Sequence, residues 1–478
     1  MKKINIFFMK TKLITIMILV ASTTLSLAQT DSSYTLQQCI DYALKNNTSV
    51  KNMELDEFIA KAQVKEYTGI GLPQINGSAS VMDNPKLQRM FQEFDPAQPS
   101  FFPYPAGTPP GTYAFPNFFQ LRSSGDAKAS VSQLLFSGSY FVGLKASKTL
   151  VELSKKNATL TKSQTVENVT KAFYTVLINQ ERKGLFDANI SSLDSLLRHM
   201  KALNQQGFVE KIDVDRLEVT YNNLLTEKSK FDLITEMTLY LLKFQMGYES
   251  TAPLTLTGDI KGINEDIVKI PTLDTSAYTN RLEYSLLKTQ YKLEGLNLKN
   301  KRMYYLPTLA AFGNYGYLRG ATSLGGLFAK REPPILLGTD NISATWFNYY
   351  NYGISLNLPI FSGFTQRAKV QQSEIAMQKI GNNMEALKQA SAFQAKQAEV
   401  SIKSNLFSVE NQKRNMELAT EVKRVAKIKY EQGVGSNLEV VNAETSYKEA
   451  LTNYYNAIFD LLVSGIDYKK ATGTLYQE

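Results

Sequence analysis

The stretch YEQGVGSNLEVVNAETS, Tyr430–Ser446, sets a Gly-x-Gly break between two long segments of helical pattern that contain no proline. A relative of it, NQQGFVEKIDVDRLEVTY (Asn204–Tyr221), occurs 226 residues earlier. Gln206-Gly207 answers Gln432-Gly433, and Glu218 and Tyr221 answer Glu444 and Tyr447. Glycine tolerates positive φ, so Gly433 and Gly435 let an outgoing helix end and the chain reverse. Ser436 or Asn437 then caps the returning helix. A phosphate-loop reading of this Gly-x-Gly is poor, because a helix rather than a strand precedes it.

Proline marks where such helices can run. Of the 15 prolines, eight fall between Pro85 and Pro116, none between Asn117 and Ala252, and none after Pro359. Proline breaks helix interiors, so the two proline-free stretches are open to long helices. Within them the apolar spacing is that of a helix seam. Phe186, Ile190, Leu193, Leu197 and Met200 step by four and three, and so do Tyr447, Leu451, Tyr454, Ile458 and Leu461. Ile380, Met384 and Leu387 begin a similar stripe that turns alanine-rich through Ala390, Ala395, Ala398 and Ile402. This is heptad-type packing; taken helix by helix, an ordinary bundle core would look the same. Length argues for more. Phe364–Gln432 runs 69 residues with one glycine, Gly381, and a continuous helix there would be roughly 100 Å long.

The chain repeats itself. LFSGSYFVGLKASK (Leu135–Lys148) matches IFSGFTQRAKVQQSE (Ile360–Glu374), and LPQINGSAS (Leu72–Ser80) matches LPTLAAFGNYG (Leu306–Gly316). Each half therefore has one order: a helix, LP, a short segment, a loop, a second short segment, FSG, a very long helix, the tip, and a returning helix. The division that follows is residues 1–28 as a leader, then 29–246 as the first repeat. That repeat holds a β-hairpin at 73–136, a long helix at 138–206 and a return helix at 210–246. Residues 247–275 form a connector with a short strand in PLTLTGDI. Residues 276–478 form the second repeat, with a hairpin at 307–361, a long helix at 364–432, a return helix at 436–466 and a C-terminal tail.

The short segments alternate. Ile75, Gly77, Ala79 and Val81 face opposite to Gln74, Asn76, Ser78 and Ser80. Tyr350, Tyr352, Ile354, Leu356, Leu358 and Ile360 alternate with Asn351, Gly353, Ser355 and Asn357. Ala127, Ala129, Val131 and Leu135 oppose Lys128, Ser130 and Ser132, while TLAAFGNYGYL is noisier. A soluble sandwich strand would alternate too. Strands of nine to eleven residues with aromatic ends suit a bilayer, one face to lipid and one to water. The loops Asp83–Ser124, rich in proline and aromatics, and Arg319–Asn348, with REPP and Trp346, fit external loops of such a barrel. Four strands cannot close a barrel, and an open edge cannot sit in lipid. Three copies would give twelve strands, and two half-repeats in each would give a pseudo-six-fold ring of helical hairpins.

The N-terminus, MKKINIFFMKTKLITIMILVASTTLSLAQT, has a basic start, an apolar run from Leu13 to Ala21 and Ser26-Leu27-Ala28 as a cleavage site. It reads as a signal peptide, with the mature chain beginning near Gln29. The run is too short for an anchor. The formal charge is +9, and Lys2, Lys3, Lys10 and Lys12 lie in that leader, leaving +5 over a long chain. This is weak support for nucleic-acid binding, and no nucleic-acid partner is expected. One cysteine, Cys39, excludes an internal disulfide or a cysteine-based zinc site. One histidine, His199, leaves little for acid–base catalysis or metal binding, and no nucleophile motif is present. Neither an enzyme nor a cofactor is expected.

With its signal peptide, duplicated order, LP and FSG landmarks and tip motif, the chain resembles the TolC-like outer-membrane efflux proteins from about Tyr34 to Leu475. At the second tip the family pattern reads here as Tyr430, Gly433, Glu439, then Ala443 and Glu444, and YKKATGTL (Tyr468–Leu475) resembles the family's end. The resemblance implies a mainly α fold with a membrane β-barrel part: a homotrimer with a twelve-stranded barrel in outer-membrane lipid and a long periplasmic α-helical barrel. It implies an exit duct that docks tip to tip with a periplasmic adaptor, which bridges it to an inner-membrane pump. Gln206, Gly207, Phe208, Tyr430, Gly433, Val434 and Gly435 would form the tips and landing surface. Acids on the returning side can ring the entrance in the family. The matching positions here are Glu439, which keeps its charge, and Asn442, which does not, and Asp213 follows the first tip. Some relatives lock the tips with an arginine where this chain has Gly435, which leaves Arg424 and Arg216 as substitutes. The competing function is an exported coiled-coil rod, structural or adhesive, without a pore.

Overall fold

A computed structural model describes residues 33–99, 104–115, 117, 120–258, 277–329 and 346–476; the signal peptide and its cleavage site lie outside them. Two compact units share the chain. One takes residues up to Ile59, Glu152–Gln290 and Lys379 onward; the other takes Ala60–Val151 and Tyr291–Gln378.

The first unit is helical. Strand β1 (Ser33–Tyr34) pairs in parallel with β6 (Thr255–Leu256), the strand expected in PLTLTGDI. Helix α1 (Leu36–Asn46) opens on a capping box between Thr35 and Gln38. Asn47 then interrupts what the sequence reads as one helix. Its Oδ1 accepts from the Ser49 and Val50 amides, starting α2 (Thr48–Ile70), and its Nδ2 donates to the Gln245 carbonyl at 2.7 Å. The long helix α3 (Gly138–Gln205) has 68 residues, and α4 (Lys211–Met246) returns to Gly247, which takes φ +66°. In the second repeat α5 (Leu282–Met303) leads in, α6 (Thr365–Glu431) has 67 residues, and α7 (Asn437–Ala471) returns. The return helix runs five residues beyond the expected end at 466. No breaker stands before Gly473, Tyr468 and Ala471 are buried, and Gly473 at φ +71° ends it.

Most of the seams read from the sequence are buried or half-buried, with Ala390 an exception on the surface. Leu451, Ile458 and Leu461 join Phe173, Val176, Leu242 and Met246 in the main core, together with the alanine-rich stripe residues Ala398 and Ile402. Leu193, Leu197 and Met200 close a second core with Val214, Leu217 and Leu224.

The second unit carries a four-stranded antiparallel sheet of β2 (Gln74–Asp83), β5 (Ser123–Phe136), β7 (Thr308–Ala321) and β8 (Phe347–Asn357), in the order β2-β5-β7-β8. Its register puts all four alternations in phase. Asn76, Ser130, Asn314 and Asn351 share one row and face, and the Asn314 amide donates to Asn351 at 2.7 Å. The row next to it, on the other face, is Ile75, Val131, Gly313 and Tyr352. A one-residue slip in any strand would turn its whole set over, so this agreement fixes the sheet. The noise in β7 comes from Phe312 and Leu318, apolar residues on the polar face. The loop read between β2 and β5 is partly ordered: β3 (Met90–Phe94) and β4 (Gly111–Phe115) form a hairpin, on which Tyr104 packs between Phe94, Tyr113 and Phe115. REPP lies outside the described residues. Among the described residues no helix is long and apolar enough to cross a membrane.

Candidate functional site at the helical tips

Both tips lie in the helical unit, and they turn by the same device. At the first, Gly207 takes φ +80°, its amide donates to the Asn204 carbonyl, and the Phe208 amide donates to Leu203. At the second, Gly433 takes φ +75°, and the amides of Val434 and Gly435 both reach the Lys429 carbonyl at 3.0 Å. These bonds satisfy carbonyls that the ending helices leave open. Gly435 does not share the positive φ that the sequence suggests for it. It is glycine for want of room: a Cβ there would lie 2.9 Å from Lys429 Cβ and 3.0 Å from the Tyr430 nitrogen. Ser436, rather than Asn437, caps the return, its hydroxyl accepting from the Glu439 amide at 3.2 Å.

Asn437 has a different task. Buried at the start of α7, it donates from Nδ2 to the Asp213 carbonyl at 3.0 Å and so joins the two tips. Its Oδ1 has no partner. Tyr430 lies between the same tips, packed on both small cores and directing its hydroxyl to Met200 Sδ. Burial, with the Asp213 charge beside it, pushes the Tyr430 phenol above its ordinary range. Phe208 and Val434 point outward, 75% and 78% exposed. Glu439 and Asn442 are exposed on one side of α7, and Asp213 is half-buried. The structure thus brings Tyr430, Asp213 and the residue after Ser436 together, and leaves Glu439 and Asn442 on the surface.

The arginines considered as locks do not join the tips. Arg424 pairs with Glu421 on its own helix at 2.6 Å, and Arg216 with Asp213 at 3.7 Å on its own. Lysines make the cross-helix contacts instead. Lys423 reaches the buried Glu444 at 2.9 Å, lies over the Tyr447 ring at 4.5 Å and donates to Asn189 at 3.4 Å. In the other repeat Lys201 meets Glu218 at 3.1 Å, and Lys448 of α7 pairs with Glu227 of α4. Glu218 and Glu444 are equivalent by duplication, so the sequence repeat carried a signal for these pairs. Nothing in the residue pattern singled out Asn437 as a bridge, because its acceptor is a main-chain carbonyl 224 residues away. Among the described residues no group of acids, histidine and cysteine could hold a metal ion.

Residues 297–474, within the second repeat, match the family model described as outer membrane efflux protein. The outer membrane protein TolC of Vibrio cholerae is 19% identical over 369 residues, 74% of this chain and 77% of that protein. Among solved structures, the fold matches CusC with a TM-score of 0.70 at 16% identity, covering 94% of this chain and 95% of that one. The Campylobacter jejuni CmeC outer membrane channel matches with a TM-score of 0.68 at 17% identity, over 92% of this chain and 86% of that one. In fold, and in sequence over its second repeat, the chain is thus similar to the outer-membrane efflux proteins.

Proposed function

We propose that this chain works as a homotrimer, the outer-membrane exit duct of a tripartite efflux or type I secretion system. The observation that carries the proposal is an unfinished sheet. Strands β2 and β8 have no outer neighbour among the described residues, and both edges carry exposed apolar side chains such as Ile75, Tyr352 and Ile354. Unpaired edges are not tolerated in lipid. Because the four strands alternate in direction, β8 of one copy meets β2 of the next antiparallel, and three copies close at twelve. The rod alternative gives no reason for this sheet or its in-phase faces.

The helices support the same arrangement. On α4 the exposed Ile212, Val219, Leu233, Met237 and Phe244 step by 7, 14, 4 and 7, and on α6 Phe393, Val400, Phe407, Leu418 and Val422 step by 7, 7, 11 and 4, which keeps each set on one helix face. In a ring these two stripes meet between neighbouring copies, each covered side chain contributing roughly 2 kcal/mol. The tips then form the periplasmic end. Phe208 and Val434, with Gln206, Gly207, Tyr430, Gly433 and Gly435 behind them, form the landing surface for a periplasmic adaptor that links the duct to an inner-membrane pump. Glu439, with Asn442 and Asp213, lines the entrance. The test is conductance of the purified protein in planar bilayers together with an adaptor-binding assay. We expect long-lived pores and loss of adaptor binding in Phe208→Asp with Val434→Asp. A trimer that never conducts would end the duct reading.

A further inference from the structure

The polar face of the sheet is almost without charge. Its rows hold Gln74, Asn76, Ser78 and Ser80 on β2, Ser130 and Ser132 on β5, and Asn314 and Asn351 on β7 and β8. Two side chains break the pattern, both on β5: Asp126 and Lys128. The other charged residues of these four strands, Asp83 and Arg319, belong to the opposite face near the loop end.

The sheet is built around this pair. Gly316 stands between Lys128 and Tyr349 in one row, and a Cβ there would lie 2.7 Å from Lys128 Cβ. The absence of a side chain at Gly316 leaves room for Lys128 Cβ against β7 from one side. Tyr349 leans across β7 from the other and donates its hydroxyl to Asp126 Oδ2 at 2.6 Å. Lys128 Nζ lies 3.9 Å from Asp126 Oδ1, and both side chains keep contact with solvent. One carboxylate is therefore held in a fixed place by a tyrosine two strands away, and one ammonium is set beside it. Asp126 is the nearer of the two to the loop end of the strand, by two residues, or about 7 Å along an antiparallel strand.

We propose that Asp126 and Lys128 form the charge filter of the barrel lumen. In the closed trimer they make two stacked rings, negative toward the loops and positive toward the helices, that set the pore's preference among small ions and the direction in which current passes more easily. This rests on the trimeric barrel proposed above. Rings of acids favour cations and rings of bases favour anions. The two charges lie 3.9 Å apart, less than the Debye length of about 8 Å at physiological ionic strength, so they act on passing ions as one oriented dipole, least screened at 0.01 M, where that length is about 30 Å.

The experiment is reversal potential and rectification of single trimers in planar bilayers under a potassium chloride gradient at low salt. Asp126→Asn keeps side-chain length and an acceptor for Tyr349, and Lys128→Gln removes the charge with a side chain one atom shorter. We expect Lys128→Gln to raise the potassium-to-chloride permeability ratio and Asp126→Asn to lower it, each by about twofold or more. Exchanging the two, Asp126→Lys with Lys128→Asp, should reverse the sense of rectification. Pores of wild-type conductance whose ratio moves in neither single variant would overturn the filter and leave the duct standing. Wild-type trimers that never conduct would overturn the duct reading and the filter with it.

Discussion

At the scale of the residue, the two tip glycines look alike in sequence and differ in cause. Gly433 needs a positive φ and has open space around it, whereas Gly435 has ordinary backbone angles and no space. Alanine at 433 should cost about 1 kcal/mol, the usual left-handed penalty, and asparagine, which tolerates that region, should cost less. At 435 either residue drives its Cβ into Lys429 and the Tyr430 main chain, so Gly435→Asn should be no milder than Gly435→Ala, each about 1–3 kcal/mol. Urea unfolding of the four variants checks this; equal behaviour of asparagine at the two sites would contradict it. Glu439 is the other decisive residue. Three Glu439 side chains around an axis would attract cations, so Glu439→Lys should shift the open channel toward anions. An unchanged reversal potential would leave Glu439 as a solvated surface charge.

At the scale of the element, the pairing of α3 with α7 carries a pH dependence. Burial opposes the charge on Glu167, but Lys470 at 2.8 Å and Lys171 at 2.9 Å outweigh it and hold the carboxyl below the usual glutamate range. A folded-state value depressed in this way stabilises at neutral pH, and the contribution is lost as pH falls through the depressed value. Thermal melts from pH 7 to pH 3 should show the wild type losing its advantage over Glu167→Gln in acid; a constant difference would contradict the assignment. Most elements were legible because their periods are strict. The seam of α7 points to one packing face, where Leu451, Ile458 and Leu461 are buried, and the alternation of β2 and β8 matches the register of the sheet. What was not legible depended on contacts remote in sequence. The break at Asn47 is held by a carbonyl 198 residues away. The β3–β4 hairpin hides in a segment whose prolines and aromatics, read locally, say loop. The extra turns of α7 were hidden by a tail that the sequence alone does not separate from helix.

At the scale of the molecule, the sequence announced its duplication, and with it the tips and the paired glutamates Glu218 and Glu444. It could not announce which contacts lie within one chain, because a heptad stripe reads the same against its own chain or a neighbour. Leu193 and Leu451 are buried in the single chain, while Phe244 and Phe407 are 76% and 70% exposed; the proposed trimer would cover them with a second copy. Phe407→Asp with Phe244→Asp should therefore weaken assembly while leaving the helical content of each chain intact, as gel filtration and circular dichroism would show. Loss of helix at the same time would place these side chains in the chain's own core. The central claim is that four strands per chain become a closed barrel only in company. The most direct test is the native mass of the protein extracted from membranes in mild detergent, with bound detergent subtracted. The account requires three chains. A monomer, or a protein soluble without detergent, would mean that β2 and β8 are not barrel edges and that the rod is the better description.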